Sequence, residues 1–291
     1  MIGLPGFDDR RCRQWNDRVT ADWLADRNPQ LVAVQPRAHF VATPVLDLSL
    51  DPGGRRDRQL RYGEAFDVLE RRDGYAFGTA LTANYVGWVD VAALRAEDAR
   101  QGDLFTVSAR ATHVYPAPDF KCPEGPSLPH GAAVRVQQTQ NRFSLTELGW
   151  VPTAHLTQDT ARDPVAVAAL YLGTPYLWGA NSSFGIDCSG LVQAALTGVG
   201  MAAPGDSDLQ ERALGDTLAT GTPPERGDLL FWKGHVAWVA DADTLLHANA
   251  YHMATAYEPI TAAIARIERQ GDGPVTRHAR LGVFASQNTP E

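Results

Sequence analysis

Between residues 36 and 158, apolar and polar residues alternate in short runs separated by turn-forming residues. "GEAFDVLE" from Gly63 and "GAAVRVQQ" from Gly131 put every second side chain on one apolar face, which predicts antiparallel strands. Both stretches belong to an internal repeat. "GWVDVAAL" at 87–94 and "GWVPTAHL" at 149–156 share the pattern G-W-V-x-x-A-x-L. The repeat predicts two small β-barrels, at about 36–96 and 103–158. From Gly63 to Gly87 is 24 residues, but from Gly131 to Gly149 is 18. The first copy therefore has a longer connection, "TALTANY", before its last strand. Extra length at one place in a repeat marks either a functional face or simple loop drift.

The pattern differs on either side of the repeat. Before it, Cys12, Trp15, Val19 and Trp23 recur at three- and four-residue steps, which predicts a helical segment within residues 1–35. Cys12 lies on that stripe and reads as a buried small residue. After about residue 162 the spacing becomes helical again. "DPVAVAALYLGTPY" predicts a helix with Asp163 as N-cap and Pro164 in its first position. "CSGLVQAALTGVG" predicts a second, with Leu191, Val192, Ala195, Leu196 and Val199 on one face and Gly200 as its stop. "DLLFWKG", "HVAWVAD" and "TLLHANA" predict successive strands. "PITAAIARIERQ" predicts another helix, with Ile260, Ile264 and Ile267 on one face, and "RHARLGVF" a last strand. Helices followed by a strand meander make an α+β domain. The expected segments are 1–35, 36–100, 101–160 and 161–291.

Composition narrows the function without naming it. The chain has 291 residues, 44% of them apolar and 21% charged, ordinary values for a globular protein. The net charge of −8 argues against a general nucleic-acid binder and is compatible with a substrate that carries an amine. Three widely spaced cysteines, Cys12, Cys122 and Cys188, make neither a disulfide framework nor a thiolate metal site. The start "MIGLPGFDDRRCRQW" does not read as a signal peptide, because Pro5, Asp8 and Asp9 break its apolar stretch. No run reaches membrane-spanning length. The expectation is a cytoplasmic protein with no membrane or nucleic-acid partner.

The candidate chemistry centres on Cys188, in "NSSFGIDCSG". This polar, glycine-rich stretch is poor company for a core cysteine. If Asp187 or a neighbour caps the helix, Cys188 falls in the first turn. There the unpaired amides and the helix dipole lower a thiol pKa from ~8.5 to roughly 3.5–7.5. Ser189 and Gly190 keep the turn small enough for backbone amides to approach a carbonyl. Downstream, His235 and His247 lie on two strands around "DAD". A turn centred on Asp241 or Ala242 makes them direct or diagonal neighbours, within about 5 to 8 Å. Cysteine, base and orienting group then follow the logic of thiol peptidases. Asn249 is an alternative orienting group. A zinc site from Cys188, His235 and His247 lacks close ligand pairs and ranks below it. His39, His113, His130, His155, His252 and His278 read as surface or core residues.

These residues carry a resemblance. "TPYLWGANSSFGIDCSGLVQAAL", "GDLLFWKGHVAWVAD" and "LLHANA" resemble the NlpC-type cysteine peptidases, papain-related enzymes that cut bacterial cell-wall peptides. The upstream barrels resemble bacterial SH3-like domains. The whole order resembles the γ-D-glutamyl-L-diamino acid endopeptidases of muropeptide recycling. The resemblance implies Cys188 as nucleophile, His235 as base and His247 as the orienting residue, with no metal or organic cofactor. It places Tyr176, Asp187, Ser189 and Ser207 along the substrate, and Glu64 and Tyr85 of the first barrel at the free amine of an N-terminal L-Ala. Two departures are Gly179-Ala180 where the family often has Gly-Gly, and Gly205-Asp206-Ser207 where relatives commonly have Arg-Asp-Ser.

The implied function is a cysteine endopeptidase that cleaves the γ-D-Glu–L-diamino acid bond of a small free muropeptide. The alternatives are a secreted wall hydrolase of the same chemistry, a non-catalytic wall-binding protein built on SH3-like barrels, and an acyltransferase on the related scaffold.

Overall fold

The computed structural model describes residues 11–96 and 101–282. The expected boundary at 100/101 and the first ten residues of the expected helical segment lie outside the described residues. Two compact units meet in sequence at Asp159 and Thr160.

In the N-terminal unit the repeat becomes two strand meanders. The first is a seven-stranded sheet in the order Arg56–Arg61, Val45–Ser49, Tyr85–Asp90, Tyr75–Ala80, Ala65–Arg72, Arg37–Val41, Leu94–Ala96. The second is five-stranded, in the order Gly149–Pro152, Phe143–Thr146, Ala133–Gln140, Asp103–Val107, Leu156–Thr157. The repeated sequence gives repeated structure. Each G-W-V segment is a strand, followed by the 3-10 turns Val91–Ala93 and Thr153–His155 and then by a closing strand. Both upstream strands also carry a bulge, at Val68/Glu70 and at Val136/Gln138. The extra residues of the first copy lengthen a hairpin strand (Tyr75–Ala80 against Phe143–Thr146) and the turn that follows it.

The two copies are fused through side chains. Tyr62, from the first copy, is fully buried in the core of the second, among Val107, Val114, Leu128, Val134 and Val151. Its hydroxyl donates to Glu147 (2.9 Å) and accepts from Arg95 (2.6 Å). Gly63 has a φ of +80°, and a Cβ there would lie 2.1 Å from the Ala133 carbonyl oxygen. No side chain fits that contact.

The expected N-terminal helix is a correction. Residues from Arg11 on form the strand Val19–Ala21, a 3-10 turn at Asp22–Arg27 and the strand Val32–Val34, which pairs parallel with the first. Asn16 is the local cause. Its Oδ1 accepts from the amides of Arg18 and Val19 (2.8 and 2.9 Å), an Asx turn that competes with the helical ladder. The β-branched Val19-Thr20 pair then favours a strand. Val19 and Leu24 pack with Leu69, Phe77 and Trp88, and Cys12 is buried, but Trp23 is 55% exposed instead of sharing their face.

The C-terminal unit packs helices on an antiparallel sheet. The helices are α1 (Pro164–Ala169), α2 (Cys188–Gly198), α3 (Ser207–Ala213) and α4 (Ile260–Gln270). As expected, Asp163 caps α1, with its side chain accepting from Val165 N. The sheet order is Asp216–Thr217, Arg277–Arg280, Asp228–Trp232, His235–Asp241, Thr244–Asn249, Ala254–Pro259. Leu191, Val192, Ala195 and Leu196 of α2 meet Leu229, Phe231, Val236 and Trp238 in one core. Ile260, Ala263 and Ile267 of α4 cover the other set of sheet residues, including Leu230 and Val239. Helix α3 and the edge strand Ala254–Pro259 go beyond the expected elements. No helix among the described residues is long and apolar enough to cross a membrane.

Candidate active site

Asp187 starts α2. Its Oδ1 accepts from Gly190 N (2.7 Å) and from the Ser189 hydroxyl (3.0 Å), and its Oδ2 accepts from Gly179 N (2.9 Å). This side-chain cap stabilises a helix start by ~1 kcal/mol. Asp187 is 3% exposed, and its side chain both caps α2 and ties the helix start to Gly179. Ser189 is equally buried, with its hydroxyl on Asp187. Gly190 is a true close approach, since a Cβ there would meet the Ala180 carbonyl oxygen at 2.6 Å. The helix start is therefore pressed onto the 179–180 turn, and Cys188 occupies its first position.

The sheet brings the histidines to this end. Trp238 pairs with Leu246 and Val239 with Leu245, and extending that register sets His235 diagonal to His247. Their rings meet, with His235 Nε2 2.9 Å from His247 Nδ1. The Cys188 thiol lies 4.0 Å from the carbonyl oxygen of Gly234, the residue before His235. Asn249, the alternative orienting group, instead accepts from the amide of His252 (2.8 Å) and holds the turn after its strand.

The chain of contacts continues past His247. His247 Nε2 is 3.0 Å from Glu258 Oε2. Glu258 is gripped by Arg266 of α4 through Nε (2.9 Å) and Nη2 (2.7 Å). His247 pairs with Ala256 in the ladder, so Glu258 reaches it diagonally, as His247 reaches His235. Glu258 was missed because its strand, Ala254–Pro259, was missed, and without that anion Arg266 of the expected helix α4 had no assigned partner. The usable signal was an arginine on the apolar face of α4, among Ala263, Ile267 and Gln270, which calls for a buried anion.

Burial sets the electrostatics. His235 is pushed down to about 3 by burial, then by His247 and Arg266. His247 is also lowered, by burial against the opposing pull of Glu258. Burial alone would raise Glu258, but the bonds from Arg266 and His247 hold it well below the usual carboxylate range. The resting site thus holds two neutral imidazoles and one carboxylate. His247, His252 and Glu258 bring ligand atoms within 4.8 Å of one another. With the Arg266 guanidinium on both oxygens of Glu258, that group suits a hydrogen-bond relay better than a cation.

The other expected residues are placed as follows. Tyr176 packs against the core containing Cys188, and its amide donates to Met253 O (2.9 Å). With Lys233, His235, Asn249 and Tyr251 it lines a cleft of about 350 Å³. Ser207 is the first residue of α3. Gln210 of α3 donates to Ser189 O and Pro204 O (both 2.8 Å), tying α3 to the turn that holds Cys188. Glu64 and Tyr85 belong to the N-terminal unit, where Glu64 pairs with Arg61 (2.7 Å) and Tyr85 is 2% exposed. A larger cavity, about 880 Å³, lies in that unit beside Val34, His39 and Arg71 and holds no thiol.

Comparison with known proteins identifies the domain that carries this site. The NlpC/P60 family profile matches residues 173–266, the stretch that holds Cys188, His235, His247 and Glu258.

The C-terminal unit is an NlpC/P60 domain.

Its family is one of cysteine peptidases. The bacterial dipeptidyl-peptidase Sh3 domain matches residues 49–94, within the first meander. The gamma-D-glutamyl-L-lysine dipeptidyl-peptidase of Bacillus subtilis (strain 168) is 36% identical over 100 residues, 31% of this chain and 32% of that protein. Dipeptidyl-peptidase 6 of Lysinibacillus sphaericus is 38% identical over 85 residues, 29% of this chain and 31% of that protein. The matches thus span about a third of the length of these curated relatives. The crystal structure of an NlpC/P60 family protein from Bacillus cereus ATCC 10987 shares the fold. It has a TM-score of 0.67 at 16% identity, over 84% of this chain and 99% of that one. The architecture is therefore an α+β NlpC/P60 domain that follows in sequence a strand-rich unit with an SH3-like domain.

Proposed function

We propose that this NlpC/P60 domain is an endopeptidase that cleaves the γ-D-Glu–L-diamino acid bond of free muropeptides beginning with L-Ala. Cys188 is the nucleophile, His235 the base and His247 its orienting partner. The carrying observation is a thiol at the first position of a capped helix, beside a diagonal pair of histidines in ring-to-ring contact. The names of the relatives support the γ-D-glutamyl specificity.

The steps follow from the groups present. Cys188 gives its proton to His235, and Sγ forms a bond to the γ-carbonyl carbon as the C=O electrons move onto oxygen. Backbone amides near the start of α2, that of Cys188 among them, stabilise that oxyanion, and loss of one such donor typically costs ~10²–10³ in rate. Collapse breaks the C–N bond, and His235 hands its proton to the leaving amine. Water then attacks the thioester. It gives a proton through His235 to Sγ and frees the γ-carboxylate.

The test is digestion of L-Ala-γ-D-Glu-L-Lys and its diaminopimelate counterpart against the N-acylated muropeptide. A marked preference for the free amine is expected, consistent with a recycling role in the cytoplasm. Equal rates would favour a wall hydrolase. No cleavage of either substrate by a folded protein would end the peptidase reading.

A further inference from the structure

We propose that Glu258 and Arg266 are positioning residues that fix the tautomers of His247 and His235, so that the lone pair of the base sits on His235 Nδ1. The inference rests on the peptidase reading above.

The argument is a chain of forced choices. Arg266 donates to both oxygens of Glu258, from Nε to Oε1 and from Nη2 to Oε2. A guanidinium cannot accept, so Glu258 stays ionised and acts only as an acceptor. His247 Nε2, 3.0 Å away, must then carry a hydrogen and donate it. His247 is 0% exposed and is faced by His235, Glu258, Arg266 and His252. Its lowered pKa keeps one proton on the ring, already committed to Nε2. Nδ1 is therefore an acceptor, and His235 Nε2, 2.9 Å away, must donate to it. His235 is neutral as well, so its second nitrogen, Nδ1, holds the free electron pair. Two imidazoles thus carry the acceptor-only character of one carboxylate across three strands to the nitrogen that takes the thiol proton.

Arg266 has a second task. Its side chain also donates to Gln270 Oε1 (2.8 Å) and lies over the Tyr251 ring at 4.5 Å. These contacts fix the guanidinium, and so fix which way a side chain at position 258 must turn. An amide at 258 would offer its oxygen to Arg266 and its NH₂ to His247 Nε2. Every tautomer up the chain would then reverse, and His235 Nδ1 would carry a hydrogen instead of the lone pair.

That reversal is the test, made on the full chain with L-Ala-γ-D-Glu-L-Lys. For Glu258→Gln, kcat falls about 10²–10⁴-fold, as when a triad base is held in the wrong tautomer, while KM stays within about threefold. In the double variant Glu258→Gln, Arg266→Met, the amide is released to turn its oxygen toward His247. Its kcat recovers at least about tenfold over Glu258→Gln, a second-site rescue that a merely structural ion pair would not give. Thermal melts establish that each variant is folded. Alkylation of Cys188 by iodoacetamide, read by peptide mass mapping, needs no substrate. It slows in Glu258→Gln and recovers in the double variant. Slowed alkylation in a protein that cleaves no tripeptide would sustain the relay and overturn only the substrate. Unchanged kcat and alkylation in Glu258→Gln, or a folded double variant no faster than Glu258→Gln, would overturn the relay.

Discussion

Asp228 and Glu258 lie in the same six-stranded sheet, and each is bound by one histidine and one arginine. Asp228 takes His278 Nε2 at 2.8 Å and Arg280 through Nε (2.7 Å) and Nη2 (2.9 Å). Glu258 takes His247 at 3.0 Å and Arg266 at 2.9 and 2.7 Å. Both carboxylates are held below their ordinary range against the effect of burial. The difference is what the histidine touches next. His247 is sealed in and meets His235, whereas His278 is 15% exposed in its side chain and sits on the strand beside Asp228. The same three groups make a structural clamp in one place and a proton-directing chain in the other. A perturbed carboxylate alone does not mark a site; its second neighbour does.

Substitutions can break this comparison. The largest effect falls on neither carboxylate. Cys188→Ala is expected to lower kcat by about 10⁴–10⁶-fold with an unchanged melt, checked by single-turnover cleavage of the tripeptide. If activity survived, the comparison would lose its catalytic half. Next, Asp228→Ala should cost about 2 kcal/mol of unfolding free energy by removing a buried carboxylate that accepts from Arg280, His278 and the Glu225 amide, checked by denaturant melts. Its kcat per folded molecule should stay within about twofold. A hundredfold loss of kcat there would make the two clamps equivalent.

Acid sharpens the contrast at a smaller scale. With its pKa pushed to about 3, His235 stays neutral far below the ordinary histidine range. The acidic limb of kcat/KM is expected below pH ~6.5. A limb at or above that value would contradict the sealed pair. The sign for stability follows. Between about 6.5 and 3 the unfolded chain binds a proton at this histidine and the folded chain does not, so stability falls as pH drops through that window. His130, pushed to about 4 by burial and then Arg61, acts in the same direction in the N-terminal unit. A melting temperature lower by roughly 5 °C at pH 5 than at pH 7 is expected, measured by calorimetry.

The N-cap, helix α2, the strand order around "DAD" and the His235–His247 pairing were legible because each follows from spacing and local chemistry. The repeat was legible because equal sequence made equal turns. What was not legible depended on partners distant in sequence. Trp23 faces outward because of an Asx turn at Asn16, which the apolar stripe does not encode. Glu258 looks like any half-buried strand residue until His247 and Arg266 close on it. Glu64 pairs with Arg61, a contact that the alternating pattern of its segment does not encode.

The seating of Tyr62 in the second barrel bears on how such repeats travel between genes. Swapping modules works when a breakpoint falls where neighbours share nothing. Here a cut between the copies would expose the Tyr62 ring of the first and leave the second with a hole lined by Val107, Leu128 and Val134. A transplanted single copy would therefore need its junction rebuilt before it could stand alone.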